Sequence, residues 1–236
     1  MNGALVRSGI RQLLAQPVRL GALGGVLVLP LLQIAVDSEP RIGGHLWTMF
    51  TAVIATSGVI GIETSSGSLA LFLVRPMTRA SYFFSRWLAA FSVALGASVL
   101  GLAGEAFVVI ARHGDITAAG VAFAALDRLL VVIGVVTVVA SCSAAAASVA
   151  DLLIWASVNV LAMSLSAAGT QAQIRWLSIA GSSLSAIGIP QLDLDRLLIA
   201  ASIPWAALTG YAGVLVLATG CGIAALNRKE LSYASE

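Results

Sequence analysis

Charge is what this sequence has least of: 10% of its 236 residues are Asp, Glu, Lys or Arg, against about a quarter in an average soluble domain. That scarcity excludes water as the main solvent. Lysine occurs once, as Lys229 between Arg228 and Glu230. A phosphate-cradling Gly-Lys-Ser/Thr loop is therefore missing, and with it ATP hydrolysis by this chain. Histidine occurs twice, at His45 and His113, each at the end of an apolar run. No HExxH or GxSxG pattern is found, so an intramembrane protease or hydrolase, which needs a metal site, paired carboxylates or a serine with a base, is not indicated. Cys142 and Cys221 lie in apolar stretches without a CxxC or Cys/His partner. Neither a zinc site nor a disulfide framework follows, and both thiols are expected to be buried as small hydrophobes. The net charge is only +2 and the basic residues stand singly, so nothing tracks nucleic-acid phosphates and no nucleic-acid partner is expected.

What the chain has in abundance is apolar surface, 59% of its residues, gathered into long runs with the few charges between them. Polar stripes at every third or fourth position, the mark of a soluble helical core, are missing. A membrane span needs about 20 apolar residues, and six runs qualify: 18–36, 44–62, 87–111, 126–148, 152–169 and 203–226. The expected fold is an all-α integral membrane protein forming a single transmembrane domain, residues 1–236. Arg7, Arg11 and Arg19 ahead of the first run imitate a secretory signal, but Gln33-Ile34-Ala35-Val36-Asp37 has no small-x-small cleavage pattern, so the first span is expected to be retained.

Three further segments have a readable character. Residues 4–16 place Leu5, Val6, Ile10, Leu13 and Leu14 on one helical face and Arg7, Ser8, Arg11 and Gln12 on the other, as in an amphipathic helix at a membrane surface; Pro17 then permits a change of direction. Residues 170–202 are too apolar for an aqueous loop, and with Pro190 and Asp193 as punctuation they are expected to form short helices dipping into the outer leaflet against the bundle. Residues 141–150 are dense in Ser, Cys and Ala, which permits close helix approach.

An even number of spans puts both termini on one face. With that face cytoplasmic, Arg7, Arg11, Arg19, Arg75, Arg79, Arg86, Arg228 and Lys229 lie inside, against Arg41, Arg112, Arg128, Arg175 and Arg196 outside, in keeping with the positive-inside rule. Glu105 lies 18 residues beyond Trp87, roughly 27 Å at about 1.5 Å per residue, and is expected to snorkel to the outer surface. Asp127 and Arg128 are expected in the outer interface, and Asp151 in a solvated turn on the cytoplasmic side.

The most informative stretch is Gly61-Ile62-Glu63-Thr64-Ser65-Ser66-Gly67 followed by Ser68-Leu69-Ala70-Leu71-Phe72-Leu73-Val74-Arg75-Pro76-Met77-Thr78-Arg79. Glu63 and Gly67 share a face if helical. Leu69 to Val74 is apolar, Pro76 ends that helix, and Thr78 is placed to cap the next. This pattern resembles the type-2 permease family of ABC transporters, in which Glu-x-x-x-Gly after the second span leads to an apolar helix and an Arg-Pro-x-x-Arg turn. The amphipathic N-terminal helix is similar to that family's elbow helix.

The resemblance implies a transmembrane permease that pairs with a second copy of itself or a homologous permease, in a bacterial or archaeal cytoplasmic (inner) membrane, exporting a hydrophobic or amphipathic substrate. A separate ABC ATPase subunit would bind ATP and Mg; this chain would hold no cofactor or metal and have no catalytic residue. Residues 63–82 would include the coupling helix, with Glu63 and Gly67 on its ATPase contact face and Arg75, Pro76 and Arg79 completing it, the arginines against lipid phosphate or the elbow helix. Arg7, Ile10, Arg11 and Leu14 would give the elbow its membrane contact, and Asp151 a second cytoplasmic contact. The alternative is a gradient-driven secondary carrier or a six-span substrate-binding membrane subunit, neither of which needs an ATPase.

Overall fold

The computed structural model describes residues 3–37, 42, 45–66, 78–148, 150–192, 194 and 205–233. Among them every regular element is an α-helix: α1 (Gly3–Leu14), α2 (Pro17–Val36), α3 (His45–Thr56), α4 (Gly61–Ser65), α5 (Arg79–Ala111), α6 (Ala118–Ala145), α7 (Ala150–Gln171), α8 (Arg175–Gly188) and α9 (Trp205–Tyr233). Among the described residues six stretches are long and apolar enough to cross a membrane, with α3 and α4 together making the second. This is a multi-pass membrane protein.

The second span is the hub. Of its apolar window 72% is buried inside the chain, against 6% for α9, so α9 leaves most of its surface to lipid or to another protein. Ala52, Val53, Ala55 and Ile60 from the second span meet Phe83, Ala89 and Ala90 of α5 and Val132, Val135, Val136 and Val139 of α6 in one dry core. Small and β-branched side chains let these three helices approach closely, which is how helices associate where lipid supplies no hydrophobic drive.

Sequence signals account for several ends. Thr78 caps α5 as expected, its hydroxyl accepting from the Ser81 amide at 3.2 Å, and Thr117 does the same for Gly120 at the start of α6. Both helices begin about two turns before the apolar runs that announce them, so residues 79–86 are the first turns of α5 rather than part of a separate arm. Pro17 opens α2 after the break from α1, which suits a residue without an amide proton.

The stretch after the fifth span does more than dip. Helix α8 folds back antiparallel along α7: a Cβ on Gly169 would meet Ser178, one on Gly181 would meet Ser166, and one on Gly188 would meet Asn159. The Trp155 indole donates to the Gly188 carbonyl at 2.9 Å, so α8 reaches the second turn of α7. Helix α9 then runs parallel to α6, with Tyr211 Oη donating to the Leu130 carbonyl at 2.7 Å and Lys229 Nζ to that of Ala146 at 3.1 Å. The first turns of α5, the α6–α7 turn and the last turns of α9 thus meet at one end of the bundle, called here the near end. Neither thiol is fully buried: Cys142 on α6 is half-buried, and Cys221 is exposed on the open outer face of α9.

Candidate functional site at the near end

The second span does not run through. Helix α3 stops at Thr56, the chain turns over Ser57–Ile60, and α4 resumes at Gly61. Gly58 adopts a φ of 69°, a left-handed conformation that costs other residues roughly 1–2 kcal/mol. A break inside an apolar bundle strands amide protons and carbonyls that have no water to turn to, and the Gly58, Ile60 and Gly61 amides and the Ser57 and Gly61 carbonyls find partners outside the second span.

Asp151, fully buried, takes the Gly58 amide at 2.6 Å on Oδ2 and the Ser57 hydroxyl at 3.2 Å on Oδ1. Ser143 Oγ, also fully buried, accepts from the Ile60 and Gly61 amides at 3.1 and 3.0 Å. The Gly61 carbonyl accepts from the Ser148 amide at 2.9 Å. Arg19, from the first turn of α2, donates to the Ser57 carbonyl; its positive charge meets both the negative end of α3 and the Asp151 carboxylate. Gly61 has no room for a side chain, since a Cβ there would run into the Ser148 carbonyl. The irregular backbone is therefore held from two sides, by the α6–α7 hairpin and by α2.

One turn further on, Glu63 is buried to 2% exposure. Its carboxylate accepts from Tyr82 Oη on one oxygen and pairs with Arg86 on the other. Tyr82 and Arg86 are each 1% exposed and lie four apart on α5, so they share a face. Helix α1 rests on this pair: a Cβ on Gly9 would sit 2.9 Å from Arg86 Nη1 and 2.8 Å from Ala89. A cavity of only about 10 Å³ remains between Gly9, Arg19, Gly58 and Arg86, enough for at most one water.

Several expected roles change on this geometry. Glu63 does not offer its carboxylate as a contact face, because Tyr82 and Arg86 draw it inward. Asp151 is no solvated turn residue, since the broken span requires its acceptor oxygens. Glu105 does not snorkel and Arg128 does not sit in an interface. They pair at 2.6 Å, at 1% and 7% side-chain exposure, across α5 and α6. Arg128 Nη1 also lies 3.4 Å from the Ser98 carbonyl, beside the bare face of Gly101. The early start of α6 puts Arg128 in its third turn, inside the bundle. Of the remaining candidates, Arg7 and Arg11 are exposed, Ile10 is half-buried, Leu14 is 44% exposed and Arg79 is half-buried. Gly67, Arg75 and Pro76 lie outside the described residues.

Arg19, Ser143, Tyr82 and Arg86 enter the site without having been singled out as site residues from sequence. A signal existed for two of them: Tyr82 and Arg86 stand at helical spacing after Thr78. Ser57-Gly58 within an apolar run was the mark of the break. Among the described residues no group of His, Cys, Asp and Glu is arranged to hold a metal. The chemistry available here is hydrogen bonding and charge, directed at backbone. Compared with protein-family models, with curated proteins and with solved structures, the chain matches none.

Proposed function

We propose that the chain is the transmembrane permease subunit of an ATP-driven ABC transporter, exporting a hydrophobic or amphipathic substrate, with ATP and Mg on a separate ATPase subunit. In this reading it pairs with a second copy or a homologous permease in a bacterial or archaeal cytoplasmic membrane, and the near end, with both termini, faces the cytoplasm. The observation that carries the reading is the Glu63–Arg86 pair with Tyr82. It ties the residue entering segment 67–77 to the residues leaving it, so a push on that segment reaches the second and third spans together as rigid-body motion. A loop with free ends would dissipate the same push.

The division of labour shifts accordingly. Gly67, Arg75, Pro76 and Arg79 remain the proposed ATPase contact, and Glu63 becomes the anchor of the lever. Asp151 transmits rather than touches: through Gly58 it links the break to the α6–α7 turn. Helix α1 serves as the elbow, Arg7 and Arg11 facing lipid phosphate and Ile10 and Leu14 facing acyl chains.

The test is purification of the tagged chain in mild detergent, followed by a search for a Walker-motif subunit in the eluate. Its presence is expected, and single cysteines across 67–77 should crosslink to it. Glu63→Gln should leave that subunit bound while lowering transport per ATP hydrolysed. Loss of binding with Glu63→Gln would return Glu63 to the contact face, and lack of any ATPase would refute the reading. A gradient-driven carrier is the second reading, favoured by the buried Glu105–Arg128 pair, since intramembrane charges often mark ion pathways. Transport that persists without ATPase and stops with a protonophore would select it.

A further inference from the structure

Helix α1 has two unlike sides. Leu5, Gly9 and Leu13 are buried along one of them, and Arg7 and Arg11 stand exposed one turn apart on the other, with Val6, Ile10 and Leu14 on the edge between. The buried side closes over the near-end cluster. A Cβ on Gly9 would sit 2.9 Å from Arg86 Nη1, so the α1 backbone itself lies on the guanidinium. Gly9, Gln12 and Leu13 also form the α1 wall of the small cavity that meets Arg19, Gly58 and Arg86. Lifting α1 would therefore admit water both to the Glu63–Arg86 pair and to the broken backbone at Gly58. The seat is shallow for that task, since Leu5 and Leu13 enter the bundle with a bare glycine between them. We infer that α1 is a lid over the near-end cluster and that anionic phospholipid holds it shut, Arg7 and Arg11 binding the headgroup phosphate.

The headgroup is chosen by charge. No residue from 1 to 15 or from 67 to 79 is acidic, so neither α1 nor the segment that follows Glu63 brings the two arginines a counter-charge. The acids in the cluster beneath are already engaged: Glu63 by Tyr82 and Arg86, Asp151 by Gly58 and Ser57. The apolar edge of α1 fits the boundary between headgroups and acyl chains, and a long basic side chain beside such an edge reaches the phosphate layer. A zwitterionic headgroup carries its own ammonium and adds little net attraction, whereas an anionic leaflet attracts each basic side chain that lies against it. Soluble phosphate shares the charge but not the surface that aligns it with the apolar edge. The inference rests on α1 lying at the membrane surface, as the elbow reading has it, and not on the presence of an ATPase.

The test uses the full chain carrying Cys142→Ser, Cys221→Ser and Val59→Cys, in nanodiscs of phosphatidylcholine or of a mixture rich in phosphatidylglycerol. Val59 lines the covered cavity and is 5% exposed, so a water-soluble maleimide reaches a thiol there only when α1 lifts. Modification should be about tenfold slower in the anionic nanodiscs. Arg7→Glu with Arg11→Glu should remove that slowing and bring it back in nanodiscs containing a cationic lipid, a reversal that a merely structural role of the arginines would not give. Gly9→Leu, which cannot seat against Ala89 and Arg86, should react fast in every lipid and so marks the open lid. Equal rates in the two lipids would overturn the inference, as would a Gly9→Leu rate no faster than the parent's, or equal slowing by inorganic phosphate in neutral nanodiscs. A spin label at Leu14→Cys, in the same background without Val59→Cys, reads the elbow separately. Acyl-chain contact of that label together with lipid-independent rates refutes the lid alone, whereas a label surrounded by water refutes the surface reading with it.

Discussion

Among the described residues, charge is buried at the two ends of the bundle and for two different purposes. At the near end, Asp151 and Arg19 hold groups of the main chain: the Gly58 amide and the Ser57 carbonyl, left over where the second span breaks. In the other half of the bundle, Glu105 and Arg128 chiefly satisfy each other between two unbroken helices. A pair of the second kind is replaceable, because two apolar side chains of similar volume remove both charges at once. One of the first kind is not, since no apolar residue can accept a hydrogen bond from a stranded amide. The difference teaches that the break in the second span is what Asp151 and Arg19 serve, whereas Glu105 and Arg128 serve each other.

The largest expected effects come from removing one charge alone. Arg128→Met takes away the cation that pairs with Glu105, and Asp151→Leu takes the acceptor from the Gly58 amide and the Ser57 hydroxyl and the counter-charge from Arg19. Each should cost about 3–5 kcal/mol in SDS-driven unfolding from mixed micelles. The double substitutions then separate the two regions. Glu105→Leu with Arg128→Met should recover most of the loss, to within about 1 kcal/mol of the parent, whereas Asp151→Leu with Arg19→Met should stay at least about 2 kcal/mol below it, because the amide remains orphaned. Equal recovery in both pairs would erase the distinction.

Ser143→Ala comes next. Its hydroxyl oxygen accepts from two consecutive amides, and losing both bonds in a dry site should cost about 2–3 kcal/mol. Ser143→Thr keeps the acceptor and should cost less, provided the added methyl fits beside Ile60. Hydrogen exchange at Ile60 and Gly61 gives a local reading: faster exchange at these two amides in Ser143→Ala, with α6 otherwise protected, is the expected signature.

These effects mark where sequence reasoning reached and where it stopped. The six apolar runs, the turn at Pro17 and the Thr78 cap were legible because each depends on residues adjacent in sequence. The break at Ser57–Ile60 was hidden, although Gly58 and Gly61 stood in plain view, because an apolar run of suitable length reads as one helix whatever its glycines do. Burial of Glu63, Glu105, Arg128 and Asp151 was hidden for a different reason. A charge between apolar runs is at the surface or inside according to its partner, and those partners lie 23 residues away for Glu63 and Glu105 and more than 90 for the Ser57–Asp151 bond. Arg19 illustrates the point: its sequence context is a basic flank of a first span, and only the stranded Ser57 carbonyl gives it a structural task.

The smallest effect is expected at the periphery, and it bears on assembly. Val216 and Leu217 on α9 are each 70% exposed, whereas Leu226 on the same helix is 4% exposed. Leu226→Ala should cost about 2–4 kcal/mol through the cavity it leaves against the core. Val216→Ala removes methyl groups that meet only lipid if the chain stands alone, and should then cost under about 0.5 kcal/mol. In the dimer proposed here α9 is one of the broad uncovered surfaces available to a second copy. A loss above about 1 kcal/mol at Val216 that grows with protein concentration would mean that this face is covered in the assembly, since a contact between copies, unlike a contact with lipid, stabilises by mass action.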